Sequence, residues 1–240
     1  MRIIIAGGTR FVGSELVKDL TGNGHEVILM VRPGSKNAES NRDNIKIVDS
    51  DPSIPIVDYR LEADAIINLV GIIREYPNRG ITFNKTHYDV ACNLIDFARQ
   101  NNIKRFLQMS ALGVNSNAKT GYLTTKYQAE EYLRKSELSW TIFRPSMIFG
   151  EKDISINMFT SMVKSLPVVP VVGDGEYRIQ PIFIEDVCKS IRLALSNQGM
   201  TGKTIEYGGP EIFTFNQMLD AIGEVLGKRR VRKIHIPVAL

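Results

Sequence analysis

Three residues of the chain are equipped for proton-transfer chemistry. Tyr122 and Lys126 stand four apart, the spacing that places two side chains on one face of a helix. A phenol has an ordinary pKa of about 10 and is a poor base near neutrality. An ammonium beside it favours the phenolate and lowers that value. Tyr122 is thereby suited to exchange a proton with a substrate hydroxyl or carbonyl, while Ser110, at the end of an apolar segment, holds the same oxygen by a hydrogen bond. Taken alone, Tyr-x-x-x-Lys is an ordinary exposed i,i+4 pair. Its weight comes from what lies upstream.

Upstream, Gly7-Gly8-Thr9-Arg10-Phe11-Val12-Gly13 sits between a β-branched apolar segment, Arg2–Ala6, and a segment with Val12, Leu16 and Leu20 on one helical face. A pyrophosphate needs backbone N–H groups at a helix N-terminus with no side chain in the way, and glycines permit that approach. Arg10 replaces the middle glycine of a Gly-x-x-Gly-x-x-Gly loop. The bland alternative is a tight strand-to-helix turn with no ligand, and the strand–turn–helix setting argues against it. Nineteen residues beyond Gly13, where an NAD site places a carboxylate on the ribose 2′-OH, stands Arg32, and Lys36 follows. Cations there accommodate a 2′-phosphate, so NADP(H) is favoured over NAD(H), with Arg10 a further cation near the phosphates. The competing reading makes Arg32 and Lys36 solvated loop charges.

These residues need a scaffold, and the periodicity supplies one. Strand-like Arg2–Ala6, Glu26–Val31, Ile45–Val48, Ala65–Val70, Arg105–Met109 and Trp140–Phe143 alternate with helical patterns, among them Thr82–Gln100 and Tyr122–Lys135. Asp51–Glu62 carries two prolines and no clean period, so a crossover helix there is short or absent. Near-continuous apolar strands separated by helices mean parallel pairing covered on both faces: α/β, a Rossmann doubly wound parallel sheet. The pattern changes after Gly150. Helical Ile156–Val163, Glu185–Ser196 and Phe215–Leu226 and a strand at Thr204–Tyr207 are separated by Pro- and Gly-rich stretches. Residues 1–150 are expected to be the NAD(P)-binding domain, and 151–240 a small C-terminal lobe integrated with it and capping a substrate.

Composition excludes several classes. The chain has 240 residues, 43% hydrophobic and 23% charged, which is globular rather than disordered or fibrous. Lys+Arg 30 against Asp+Glu 26 leaves +4, compatible with a phosphate-bearing ligand and too weak to imply nucleic acid. Cys92 and Cys188 are far apart, so no disulfide framework or Cys-rich metal site is expected, and the three histidines suggest no metal. No apolar run approaches the about 20 residues of a membrane span, and Ile3-Ile4-Ile5 breaks at once into Gly7-Gly8, unlike a signal peptide. A cytoplasmic protein is expected. The basic run Lys228–Lys233 reads by default as a solvated stretch, with contact to an anionic surface (peripheral membrane headgroups, nucleic acid or an acidic partner) as its functional alternative.

Gly7–Gly13, Asn68-Leu69-Val70-Gly71, Met109-Ser110-Ala111-Leu112-Gly113, Tyr122-Leu123-Thr124-Thr125-Lys126 and Arg144-Pro145-Ser146-Met147-Ile148-Phe149-Gly150 occur in one order. In that order the chain resembles the extended or atypical short-chain dehydrogenase/reductases. It is most similar to the branch that includes the nucleotide-binding accessory subunit of respiratory complex I and its bacterial and plastid relatives. The resemblance covers essentially the whole chain, Gln180-Pro181-Ile182 and Glu185-Asp186-Val187 included. It implies that Gly7, Gly8, Thr9, Arg10, Phe11, Val12, Gly13 and Arg32 hold the pyrophosphate and adenosine side of the cofactor. Leu69, Val70 and Gly71 line its middle, Tyr122 and Lys126 hold the nicotinamide ribose, and Pro145, Met147 and Ile148 border the nicotinamide. Ser110, Tyr122 and Lys126 correspond to the catalytic set. Where extended members often carry an asparagine in the proton relay stands His87, read here as a buried histidine bonded to nearby backbone rather than a catalytic group. Family members usually continue beyond the position of Leu240, so a missing or shortened tail is expected.

Three functions compete. The first is an NADP(H)-dependent oxidoreductase acting on a hydroxyl or carbonyl substrate through Ser110, Tyr122 and Lys126. The second is a cofactor-binding structural or assembly module of the respiratory or quinone system, without turnover. The third, nucleotide-sugar epimerisation or dehydration, usually retains NAD, which Arg32 opposes. RNA binding is least favoured because the net charge is small. Substrate and oligomeric state are not legible.

Overall fold

A computed structural model describes residues 1–34, 44–56 and 60–237. The chain divides into two compact units, Met1–Pro145 with Glu185–Tyr207, and Ser146–Ile184 with Gly208–Leu240.

The first unit is built on β1 (Arg2–Ala6), β2 (Glu26–Val31), β3 (Ile45–Asp49), β4 (Ala65–Asn68), β5 (Arg105–Met109) and β6 (Ser139–Pro145), joined at one edge by Lys203–Tyr207. All pairs in this seven-stranded sheet are parallel. Their spatial order is Lys203–Tyr207, β6, β5, β4, β1, β2, β3. The apolar runs explain it: Ile3, Ile4, Ile5 and Ala6 are all fully buried, as only a strand covered on both faces can be. On one face Ile4, Ala6, Ile28, Met30, Ile66 and Phe106 share a core with Val90, Leu94, Ile95, Ala129 and Leu133. Those last five come from α2 (Val90–Gln100) and α3 (Gly121–Arg134). Elsewhere Arg192 of α5 (Ile184–Ser196) bonds Asp19 of α1 (Phe11–Gly22) at 2.7 Å. The expected doubly wound α/β sheet is what forms.

Chain order reverses between β1 and β4, and ligands of such sheets bind at the carboxyl ends of the strands flanking that switch. One detail differs from the periodicity. Thr82–Gln100 is not one α-helix: a turn of π-helix, Asn84–Asp89, precedes α2 and carries His87 inward. Among the described residues of 51–62 there is no helix, as the two prolines suggest.

The second unit has its own core, in which Val163, Val169, Val171, Phe215, Met218, Leu219 and Val231 meet. Its helices are α4 (Ser155–Ser165) and α6 (Phe215–Val225), the latter opened by a Thr214/Gln217 capping box. Short pairs complete it, Val169–Val172 running parallel to Lys233–Ile236. Here the basic run splits. The Lys228 ammonium donates to the Val163 and Lys164 carbonyls and Lys233 pairs with Asp220, while Arg229, Arg230 and Arg232 remain exposed. No helix among the described residues is long and apolar enough to cross a membrane.

Candidate functional site

The glycine loop is packed as tightly as backbone allows. Gly7 takes φ +84, a left-handed conformation, and a Cβ there would lie 3.0 Å from the Leu69 carbonyl carbon and the Val70 nitrogen. On Gly13 a Cβ would come 2.2 Å from the Gly7 oxygen, so only glycine lets α1 approach β1 this closely. Leu69 N–H donates to the Ala6 carbonyl at 2.9 Å, and buried Asn68 accepts from Val70 N–H at 3.0 Å while donating to Gln108 at 3.0 Å. The loops after β1 and β4 are thus one backbone surface, as a pyrophosphate-binding turn requires. Arg10 is the N-cap of α1 and supplies no side-chain cap. The first intrahelical bond runs from Ser14 N–H to the Arg10 carbonyl at 2.7 Å, leaving the amides of Phe11, Val12 and Gly13 ahead of it at the positive end of the helix. These residues fit a dinucleotide phosphate.

Arg10 and Arg32 are both exposed. Because Ala6 pairs with Met30 in register, both residues leave the carboxyl ends of adjacent strands. Lys36 lies outside the described residues.

Lys126 is brought against Gly71: a Cβ on that glycine would be 3.5 Å from the ammonium. The same ammonium lies 5.4 Å from the centroid of the Tyr122 ring. Burial pulls Lys126 down to about 8, against the attraction of Glu130. The expectation that the ammonium would lower the Tyr122 phenol is overturned. Burial raises it instead, because the ring is packed edge-on against His87 at 5.3 Å and Phe83 at 5.7 Å.

Ser110 is only 5% exposed, and its hydroxyl donates to Glu130 Oε1 at 2.5 Å. Glu130 has no exposure at all. It also accepts from Arg144 through Nε (2.9 Å) and Nη2 (2.6 Å), and from Arg134 at 2.7 Å. Arg144 continues to Glu206 at 2.8 Å, and its guanidinium is raised above its ordinary value, chiefly by the bond to Glu130. The one proton of the serine that sequence reasoning aims at a substrate oxygen is therefore directed into a buried ion cluster. That cluster was missed. Its signal was available: Glu130 follows Lys126 by one helical turn and sits among Ala129 and Leu133 on the core face, where a carboxylate needs cations.

His87 is 3% exposed, and one ring nitrogen lies 3.0 Å from the Thr125 hydroxyl. The other is 3.2 Å from the nitrogen and 3.1 Å from the oxygen of Ile72. Burial first, then the Lys126 charge, lower it to about 4, so it is neutral near pH 7 and bonded to backbone. Pro145 ends β6 in the first unit; Met147 and Ile148 belong to the second, where the Met147 carbonyl accepts from Ile182 N–H at 2.9 Å.

A family model described as NAD(P)H-binding matches residues 7–162. The chain belongs to the NAD(P)H-binding family. It is 30% identical to the Arabidopsis thaliana protein "NADH dehydrogenase [ubiquinone] 1 alpha subcomplex subunit 9, mitochondrial", over 98% of this chain and 60% of that one. It is 27% identical to the "Ceramide reductase" of Caulobacter vibrioides, over 79% of this chain and 59% of that protein. The chain thus spans about three fifths of the length of these curated relatives. Among solved structures, UDP-glucose 4-epimerase of Thermotoga maritima superposes with a TM-score of 0.78 at 21% identity, covering 99% of this chain and 86% of that one. That likeness is one of fold. The short-chain dehydrogenase/reductase resemblance, with its leaning towards the complex I accessory subunit, is borne out.

Proposed function

We propose that this NAD(P)H-binding protein holds NADP(H) as a cofactor module of a respiratory or quinone-linked assembly rather than turning over a carbonyl substrate by serine-assisted reduction. The observation that carries this reading is the Ser110 hydroxyl, which is spent on Glu130. The bond is short and its acceptor is charged and paired with two arginines, so diverting the serine to a substrate would break a buried, charge-assisted hydrogen bond. The assembly is suggested by the complex I subunit among its relatives.

In this reading the amides of Phe11, Val12 and Gly13 receive the pyrophosphate, and Arg10 and Arg32 receive the 2′-phosphate. Tyr122 and Lys126 hold the ribose beside Gly71. Bound there, NADP(H) supplies a hydride donor or acceptor. Calorimetric titration with NADPH and NADH tests the cofactor half: NADPH binding at least tenfold tighter than NADH is expected, and equal affinities overturn the Arg32 assignment. Purification from the source cells tests the other half. A stable partner from the respiratory or quinone system is expected, and isolation of the protein alone counts against the module.

A second reading, the oxidoreductase, is favoured by the placement of Lys126 between Tyr122 and Gly71 and by the likeness to a reductase. It requires Tyr122 to carry the proton without the serine. Substitution Tyr122→Phe then abolishes turnover on a carbonyl substrate while NADPH affinity stays within about threefold; unchanged turnover eliminates this reading.

A further inference from the structure

The turn that follows Gly71 carries two guanidinium groups that the cofactor reading does not use. Tyr76 N–H donates to the Ile81 carbonyl at 2.8 Å and Ile81 N–H returns to Tyr76 at 3.2 Å, closing the turn. Within it, Arg79 N–H bonds the Tyr76 carbonyl at 2.9 Å and Gly80, at φ +66, bonds the Pro77 carbonyl at 2.8 Å. Both ends are anchored. Ile72 N–H meets His87, and the Glu75 carboxylate accepts from Phe83 N–H at 2.7 Å. The turn's one carboxylate is thus used on backbone.

The Arg74 guanidinium carbon lies 5.7 Å from the Tyr76 ring centroid and that of Arg79 lies 5.8 Å from it. Both arginines are exposed, and neither forms an ion pair among the described residues. Two like charges therefore stand at one ring without an acidic partner among the described residues, in a turn closed and anchored by backbone hydrogen bonds. Planar forked donors of this kind match carboxylate and phosphate oxygens. Their position is also specific. The turn leaves the carboxyl end of β4 directly after Leu69–Gly71, and its anchor His87 packs edge-on against Tyr122.

We propose that the turn Ile72–Ile81 receives a second ligand of this site, and that this ligand carries an oxyanion, carboxylate or phosphate, bound by Arg74 and Arg79 beside Tyr76. The inference rests on the reading that a dinucleotide occupies the same edge of the sheet. NADPH-loaded protein, with its arginine side chains labelled with 15N, is titrated separately with inorganic phosphate and with succinate. Saturable shifts of the Arg74 and Arg79 Nε–H signals are expected with one or both, and which anion acts identifies the source chemistry. The double variant R74Q/R79Q should weaken that binding about tenfold or more while NADPH affinity changes less than twofold. R74K/R79K, which keeps charge and loses the fork, should fall between. No saturable shift with either anion, shifts confined to Arg10 and Arg32, or shifts at other residues that survive in R74Q/R79Q overturn the proposal. If NADPH does not bind, the cofactor reading fails on its own, and the same titration of the ligand-free protein still decides the oxyanion site.

Discussion

At the scale of single residues the site is governed by what each polar group already has to do. Ser110 has one proton to donate, and a buried carboxylate accepts that hydrogen bond. Arg32 has no acidic partner among the described residues, so it is free to meet a phosphate. Arg32→Ala should weaken NADPH binding about tenfold, roughly 1.4 kcal/mol, and leave NADH binding nearly unchanged, as parallel calorimetric titrations would read. His87 makes stability depend on pH. Its folded value of about 4 lies below the ordinary 6.5, so the unfolded chain takes up the proton first as pH falls. Its contribution is complete above pH 6.5 and is lost as pH drops towards 4, about 3 kcal/mol in all. Urea midpoints of wild type and His87→Asn, compared at pH 7 and pH 4.5, should show the smaller pH dependence in the variant.

At the scale of elements, packing of helix against strand decides what the loops can hold. Gly13→Ala places a methyl group 2.2 Å from the Gly7 oxygen, a distance that forces α1 away from β1. Loss of NADPH binding by at least tenfold is expected, together with a lower Tm. Glu130 links α3 to Ser110 just beyond β5, to β6 and, through Arg144 and Glu206, to Lys203–Tyr207. Removing it takes from Arg144 and Arg134 the fully buried carboxylate they share and leaves each only a more exposed partner, Glu206 and Glu131. Glu130→Ala should therefore cost about 3 kcal/mol in denaturant unfolding, whereas an exposed glutamate would cost almost nothing.

For the whole molecule the relevant quantity is how much a dinucleotide adds to stability. A ligand that binds only the folded chain at a hundredfold excess over its Kd stabilises it by about 2.7 kcal/mol. For a chain of this size, NADPH should raise Tm by about 5–10 °C and NADH by clearly less at equal concentration. Equal shifts would remove the preference for a 2′-phosphate. The net charge is a modest +4, and the loops at the carboxyl edge of the sheet carry Arg10, Arg32, Arg74 and Arg79.

Much of this was legible in the amino-acid order. Runs such as Ile3-Ile4-Ile5 demand a strand buried on both faces, and Gly7 to Gly13 demands a close strand–helix turn, because both follow from local sterics and the period of the hydrophobic pattern. Tyr122 and Lys126 fall on one helix face for the same local reason. What Ser110 does was not local. Its partner Glu130 shares α3 with Arg134 and pairs with it at helical spacing, but nothing along the chain states that Ser110 and Arg144 of β6 meet them. Nor could the sequence show the burial of Tyr122, whose ring packs edge-on against Phe83 and His87 and whose phenol is raised by that burial. Local geometry is written in the chain, but desolvation and ion pairing are properties of neighbours that only folding brings together.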